Sequence, residues 1–195
     1  MRVLSLISAA AVVVAGCSAE RIVTTDEPFV ASPPTSTTAE PPAPPNRAHL
    51  VDAFDYVAHP EGTAVYHFTT PSGRWACAIV PREKAGCQSA NAPLSSMNIT
   101  GEPDTVRDSA GEQAAPNAII VEREGEPRFV ALTRPEFVLG DARVLDFNRV
   151  LAVAGFRCNV QDAGVSCMSE ATGKGFTFAP EGFQPRYTEV PANAP

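Results

Sequence analysis

The five cysteines carry the most distinctive chemistry in this chain of 195 residues, because their thiols can form thioethers and disulfides. The first, Cys17, follows a positive charge at Arg2, an apolar run over residues 3–14 and two small residues. This layout is typical of a secretory signal peptide, which we predict over residues 1–16. The run is shorter than the ~20 residues of a transmembrane helix. An ordinary cleaved signal and a retained helix are the alternatives.

Residues 14–17 (VAGC) resemble the lipobox of bacterial lipoproteins. The resemblance implies that the thiol of Cys17 receives a diacylglyceryl group and that Cys17 becomes the first residue of the mature chain. Two or more acyl chains hold a protein stably on a membrane, whereas one chain binds only marginally. We therefore expect the membrane to be a partner through the lipid on Cys17, with the protein on the extracytoplasmic face of the cell membrane.

The other four cysteines form an even set, which suits disulfide bonding outside the cytoplasm. They allow three pairings, and the short separations favour Cys77 with Cys87 and Cys158 with Cys167. Residues that face each other across antiparallel strands have Cα atoms about 4.5–5.5 Å apart, within the range of a disulfide. We predict two disulfides, each within one hairpin.

The chain contains residue types that hydrolases use for catalysis, but none of them lies in a known catalytic motif. Ser72 lacks the G-x-S-x-G pattern of a nucleophile elbow, and its Thr-Pro-Ser-Gly context is typical of a β-turn. His67 lies in an aromatic, β-rich segment, where a histidine is more often structural than a base. We assign no catalytic residue and do not expect an enzyme. The alternative is an extracytoplasmic hydrolase of cell-wall polymer or peptide, using His67 and acids such as the pairs Asp52/Asp55 and Glu122/Glu124.

The sequence does not match the motifs for phosphate or metal binding either. Residues 172–175 (TGKG) lack the earlier glycine and the Ser or Thr of a P-loop, so we expect a glycine turn. The cysteine spacing does not match the C-x2–4-C pattern of zinc sites, and no H-E-x-x-H occurs. We therefore expect no metal and no cofactor.

The single tryptophan, Trp75, follows Arg74, and the two residues form a candidate binding surface. Tryptophan and arginine are enriched among the residues that dominate binding energy at interfaces. The alternative, which we favour, is that the indole ring packs inside the domain, over the Cys77 disulfide.

The net charge of −7 becomes −8 when a signal peptide containing Arg2 is removed. An acidic chain without a basic cluster is a poor ligand for nucleic acid, which we exclude as a partner. We expect instead an envelope protein or a cell-wall glycan.

Composition divides the chain into four parts. After the signal peptide, residues 17–48 contain the lipid site and a linker with seven prolines and eight Ser or Thr, which predicts a disordered spacer. Residues 49–187 are long enough to bury one core and form the domain. Residues 188–195 are expected to be a flexible tail.

The domain shows strand patterns separated by turn signals. Strands are predicted over residues 65–69, 75–80, 118–122, 128–132 and 176–178, and a hairpin over 156–169 with its turn at Asp162. Residues 89–116 have no clear period and are predicted to be a long loop. Residues 144–153 fit a strand or a helix, and we favour a strand with a kink at Asn148. These patterns predict a mainly β fold: one small antiparallel sandwich or barrel-like domain.

Several motifs in order resemble a family of small secreted proteins and lipoproteins of actinobacteria. Residues 68–77 (FTTPSGRWAC) are similar to its F-x-S-P-S-G-N-I-x-C opening, and residues 155–176 follow its G-F-R-C, G-V-T-C and T-G-H-G-F ending. The family has no assigned function, so the resemblance implies an envelope location and a cysteine framework but no reaction. Lys174 stands where the family's histidine is usual, and Arg74-Trp75 where Asn and an aliphatic residue are usual. Any role of that histidine is in doubt here.

Overall fold

The computed structural model describes residues 47–195, which belong to one compact unit. The predicted signal peptide (residues 1–16), Cys17 and nearly all of the predicted linker (residues 17–48) lie outside the described residues. Within residues 47–195, no helix is long and apolar enough to span a membrane.

Strands dominate the regular structure, with two short 3-10 helices, Ala53–Tyr56 and Pro60–Gly62, near its start. The strands in chain order are β1 (Val57–Ala58), β2 (Val65–Thr69), β3 (Trp75–Val80), β4 (Lys84–Ser89), β5 (Val106–Arg107), β6 (Gln113–Ala114), β7 (Ala118–Glu122), β8 (Arg128–Val130), β9 (Val150–Val153), β10 (Phe156–Gln161), β11 (Gly164–Ser169), β12 (Gly175–Ala179) and β13 (Gly182–Gln184).

Six strands form one antiparallel sheet in the order β1-β2-β3-β4-β7-β8. Strands β3 and β4 are joined by a tight turn in which Arg82 has a positive φ of 62°. This turn sets the register that places Cys77 directly opposite Cys87, with Cα atoms 4.1 Å apart, and the two are disulfide-bonded. The predicted local pairing is therefore confirmed in this sheet.

Five strands form the second antiparallel sheet in the order β13-β12-β11-β10-β9. The β10–β11 hairpin places Cys158 opposite Cys167, again disulfide-bonded. Its turn ends at Gly164, where φ is 124° and a Cβ would lie 2.1 Å from the carbonyl oxygen of Phe178. Only glycine fits at that position, because any side chain would meet the backbone of β12.

The two sheets pack face to face around one apolar core. Alternate residues point inward, as the two-residue period of a strand requires, so that the aromatic side chains of β2 and β12 join the same cluster as both disulfides. All four cysteines are fully buried. The prediction of a mainly β, antiparallel sandwich with two hairpin disulfides is confirmed.

The outer face of the six-stranded sheet is covered by residues 133–145, which we call the strap. Phe137 of the strap is fully buried and packs in a second apolar cluster with Val65, Ala78, Ala118 and Ile120. The side-chain oxygen of Gln88 accepts hydrogen bonds from the backbone N–H groups of Glu136 and Phe137, at 2.9 and 3.1 Å. Gln88 is itself fully buried, so these bonds satisfy a polar group that would otherwise be costly.

The outer face of the five-stranded sheet is polar and is covered by the end of the chain. Asn159 is fully buried and donates hydrogen bonds to the Tyr187 hydroxyl (2.8 Å) and the Thr188 carbonyl (2.9 Å). Val190 is only 7% exposed. Residues 188–190 are therefore packed against the domain.

Two predictions about irregular segments are refined. Asn148 has a positive φ of 60°, so the kink predicted within residues 144–153 is present, and the strand β9 begins only after it. The predicted loop over residues 89–116 also contains a small two-stranded hairpin formed by β5 and β6. Its turn is held by Asp108, whose carboxylate accepts hydrogen bonds from the N–H groups of Ala110 and Glu112, both at 2.9 Å.

Candidate functional site

A cleft of about 230 Å³ opens where turns from both sheets meet. It is formed by the β2–β3 turn, the β10–β11 turn, the β12–β13 turn and Phe147 in the segment before β9. We call it the aromatic cleft, and its lining residues are Thr70, Pro71, Ser72, Trp75, Phe147, Val160, Gln161, Asp162, Gly164, Val165, Ala179, Pro180 and Glu181.

The β2–β3 turn is rigidly built by its own side chains. The N–H of Gly73, at φ 66°, donates to the Thr70 carbonyl at 2.9 Å. The Thr70 hydroxyl accepts from the N–H of Trp75 at 3.2 Å and lies 3.1 Å from the Ser72 hydroxyl. The Ser72 hydroxyl also accepts from the N–H of Arg74 at 3.3 Å. Ser72 thus holds a turn, as the sequence predicted, and both of its hydrogen-bond partners belong to that turn.

Trp75 lies on the inner wall of the aromatic cleft and is only 5% exposed. Its ring meets the ring of Phe178 edge to face, with centroids 5.1 Å apart. The guanidinium of the exposed Arg74 lies 4.7 Å from the centroid of the Trp75 ring. Trp75 is therefore a core residue with one edge on the cleft, as the favoured interpretation expected, and of the candidate pair Arg74 and Trp75 only Arg74 lies on the surface.

Phe147 is the exposed aromatic residue of this cleft, with 48% of its surface accessible. Sequence reasoning treated it only as one apolar position in an ambiguous segment. Phe147 lies between Asp146 and Asn148, and asparagine adopts a positive φ more readily than most residues. This pattern could have predicted that Phe147 lies on a turn. The Phe147 side chain joins neither apolar cluster and projects from the surface.

The charged residues of the aromatic cleft are two carboxylates. Asp162 and Glu181 are both exposed, and no lysine or arginine is among the lining residues. The cleft is therefore acidic as well as aromatic. Sequence reasoning identified Asp162 as a turn residue but did not bring it together with Glu181, because the two lie in different hairpin turns.

A second cleft, of about 430 Å³, lies beside the strap and includes His67. Asp55, Asp141, Arg143 and His59 also line it. We call it the histidine cleft. It brings His67 and two carboxylates to one place, as the hydrolase alternative requires.

His67 itself is 3% exposed, and its Nδ1 lies 3.4 Å from the carbonyl oxygen of Phe137. Its Nε2 is buried and has no hydrogen-bond partner among the described residues. Burial lowers the pKa of His67, against a smaller opposing effect of the Phe137 carbonyl, so the neutral imidazole is favoured. The geometry is that of a core histidine that helps to hold the strap.

The carboxylates of the histidine cleft are not paired with His67. Asp55 forms an ion pair with Arg143 at 3.4 Å, and the Arg143 guanidinium lies 5.9 Å from the centroid of the Tyr56 ring. Burial raises the pKa of Tyr56, although the nearby Arg143 opposes the shift. The charged residues here stabilise one another rather than activate the imidazole.

Of the other acids singled out in the sequence, Asp52 and Glu122 have structural roles, and Glu124 is exposed between β7 and β8. Asp52 caps the first 3-10 helix by accepting a hydrogen bond from the N–H of Phe54 at 3.0 Å. Glu122 accepts two hydrogen bonds from Arg128, at 2.8 and 3.0 Å, and these bonds lower the pKa of Glu122. This fork-like pairing fixes the β7–β8 hairpin.

The glycine turn predicted at residues 172–175 is also present. Gly173 has a φ of 70°, and its N–H donates to the Ser169 carbonyl at 2.9 Å. Lys174 forms an ion pair with Glu126. Across residues 47–195, no group of three or more His, Cys, Asp or Glu side chains is arranged to hold a metal ion.

Comparison with known proteins found no matching family model, no matching curated protein and no matching solved structure.

Proposed function

We propose that this chain is a lipid-anchored protein of the bacterial cell envelope that presents a non-catalytic binding module. The anchoring part rests on the sequence of residues 1–17, where a positive start and an apolar run lead to Cys17. The acidic charge and the two disulfides suit a protein that works outside the cytoplasm.

The observation that carries the binding part is the aromatic cleft. An exposed aromatic ring, Phe147, stands at a concave surface beside the edge of Trp75 and two exposed carboxylates. Ligand sites are typically concave and combine apolar walls with a few polar groups that orient the ligand. The residues around this cleft belong to turns on well-paired strands, so the site is preformed.

Anchoring is tested with the full-length chain expressed in an actinobacterial host that is fed an alkyne-labelled fatty acid. Wild type should take up the label and sediment with membranes. The Cys17→Ser variant should lose the label and leave the membrane fraction, whereas the matched neighbour Ser18→Ala should behave as wild type. A wild-type protein whose mass shows an unmodified Met1 terminus would contradict the proposal.

Binding at the cleft is tested with a photo-crosslinking phenylalanine analogue in the full-length protein, in intact cells. The analogue at position 147 should yield an adduct, and the analogue at position 54, a more exposed aromatic site outside the cleft, should not. Equal labelling from both positions, or none from position 147, would count against the cleft.

A second candidate function, an extracytoplasmic hydrolase, is supported by the histidine cleft, which His67, Asp55 and Asp141 all line. Purified protein would be screened against cell-wall polymer and peptide substrates. A hydrolase that uses His67 as its base predicts turnover that is lost in His67→Gln and kept in His59→Gln, which alters the exposed histidine of the same cleft. No turnover, or equal turnover in both variants, removes this candidate.

A further inference from the structure

We infer that the aromatic cleft binds a saccharide that is uncharged or carries amino groups. This inference rests on the proposed binding function and names the ligand class for the same site. Four properties of the cleft support it: the pairing of its strands, its charge, its aromatic residues and its size.

The strands that line the cleft are interior strands of their sheets. Trp75 lies on β3, Gln161 on β10, Val165 on β11 and Ala179 on β12, and each strand has a neighbour on both sides, although the β9–β10 ladder ends at Asn159, before Gln161. An extended peptide that adds to a sheet needs an unpaired strand edge for its main-chain hydrogen bonds. The aromatic cleft offers only strand ends, so we expect side chains to hold its ligand.

The charges at the cleft select against anions. Asp162 and Glu181 are exposed, and the lining itself contains no basic side chain. The nearby guanidinium of Arg74 stacks on the Trp75 ring, 4.7 Å from its centroid. Ionised carboxylates only accept hydrogen bonds. They suit a ligand rich in hydroxyl donors, or one with ammonium groups, and they repel phosphates and uronic acids.

The aromatic residues supply the apolar contact that a sugar ring requires. Phe147 is 48% exposed and neither apolar cluster of the domain includes it, so its ring is free to stack on a ligand. Pro71 and Pro180 add apolar surface on opposite turns. A pyranose ring presents C–H groups on its faces and hydroxyls around its rim, which matches a cleft with apolar walls and acceptor groups.

The volume limits how much of a ligand is enclosed. At about 230 Å³, the cleft is smaller than the ~300–1,000 Å³ of pockets that enclose a drug-sized molecule. It accommodates part of a longer molecule, such as one end or a short stretch of a glycan chain that continues into solvent.

The test is a calorimetric titration of the purified full-length protein with three oligosaccharide probes of equal length. They are an N-acetylglucosamine oligomer, its de-N-acetylated amine form and an anionic galacturonic acid oligomer. We expect one or both of the first two to bind and the third not to bind. Phe147→Ala should weaken binding about tenfold or more, whereas the control Phe54→Ala, an exposed aromatic residue outside the cleft, should leave it unchanged.

The two carboxylates give an independent readout. The double variant Asp162→Asn/Glu181→Gln should bind the amine oligomer more weakly than wild type and with less salt dependence, because the charge attraction is removed. Binding of only the anionic oligomer, or equal binding by wild type and Phe147→Ala, overturns the inference. If no saccharide binds while position 147 still crosslinks to an envelope protein in cells, the saccharide inference falls and the binding function stands. If both fail, the proposed function falls as well.

Discussion

The ring of Phe137 occupies the space that a side chain on Gly86 would need. A Cβ atom built on Gly86 would lie 2.4 Å from Cζ of Phe137 and 2.8 Å from the carbonyl oxygen of Ile119. Gly86 lies on the central strand β4, so the absence of its side chain leaves a gap on the outer face of the sheet. The strap fills that gap with Phe137, which is how a loop of 13 residues becomes part of the packed structure.

Gly86→Ala should therefore destabilise the domain. The added methyl group must displace Phe137 or distort the strand, and overpacking of this kind typically costs about 1–3 kcal/mol. Gly140→Ala is the matched control, since a Cβ there would meet no atom within 4 Å. Urea unfolding of both variants should show a lower midpoint for Gly86→Ala only. Equal midpoints would mean that the strap does not pack against β4 as described.

His67 should make the stability of the domain depend on pH. Burial lowers its pKa in the folded state below the unfolded value of about 6.5. The contribution of the neutral form is therefore fully present above about pH 6.5 and is lost as the pH falls from there through the lower folded pKa. Thermal unfolding of wild type between pH 7.5 and 5 should show this loss. The melting temperature of His67→Gln should depend less on pH than that of wild type. The melting temperature of His59→Gln, a change at an exposed position, should keep the wild-type pH dependence.

Each disulfide should contribute separately to stability. Both close loops of about ten residues, which corresponds to about 2.5–3 kcal/mol in the chain-entropy description. The double variants Cys77→Ala/Cys87→Ala and Cys158→Ala/Cys167→Ala should each lower the free energy of unfolding by about this amount, as measured by denaturant titration. Cys17→Ser is the control for loss of a cysteine outside the described residues. A double variant as stable as this control would contradict the expectation.

Removal of the chain after Tyr187 should destabilise the five-stranded sheet. Asn159 would lose the Thr188 carbonyl as an acceptor, and the side chain of Val190 would leave its buried position. A buried polar group without its partner costs about 1–3 kcal/mol. Truncation after Ala192 keeps these contacts and should leave the melting temperature unchanged. Equal melting temperatures for both truncations would favour the expectation of a flexible tail from residue 188.

The hairpins and their disulfides followed from the sequence because the information is local. The apolar run of residues 75–80, the alternation in residues 156–161 and the glycine at position 164 indicate the hairpins, and each hairpin specifies the pairing of its two cysteines. No long-range contact has to be known for these predictions. They depend on the two-residue period and on turn chemistry alone.

The strap and the aromatic cleft depend on contacts between distant segments. Gly86 and Gln88 look unfavourable for a central strand until Phe137, about 50 residues later, is seen to pack on the first and hydrogen-bond to the second. Asp162, Glu181 and Phe147 likewise come from separate turns, and only the docking of the two sheets brings them to the β2–β3 turn. Sequence periodicity does not report how two sheets dock.

Trp75 is the single tryptophan of the chain, and it belongs both to the core and to the wall of the cleft. Its indole fluorescence therefore reports both on the folding of the domain and on ligand binding in the aromatic cleft. A red shift of the emission maximum reports loss of the packing against Phe178. A change in emission intensity without a shift reports a ligand bound in the aromatic cleft. The molecule needs no attached dye for either measurement.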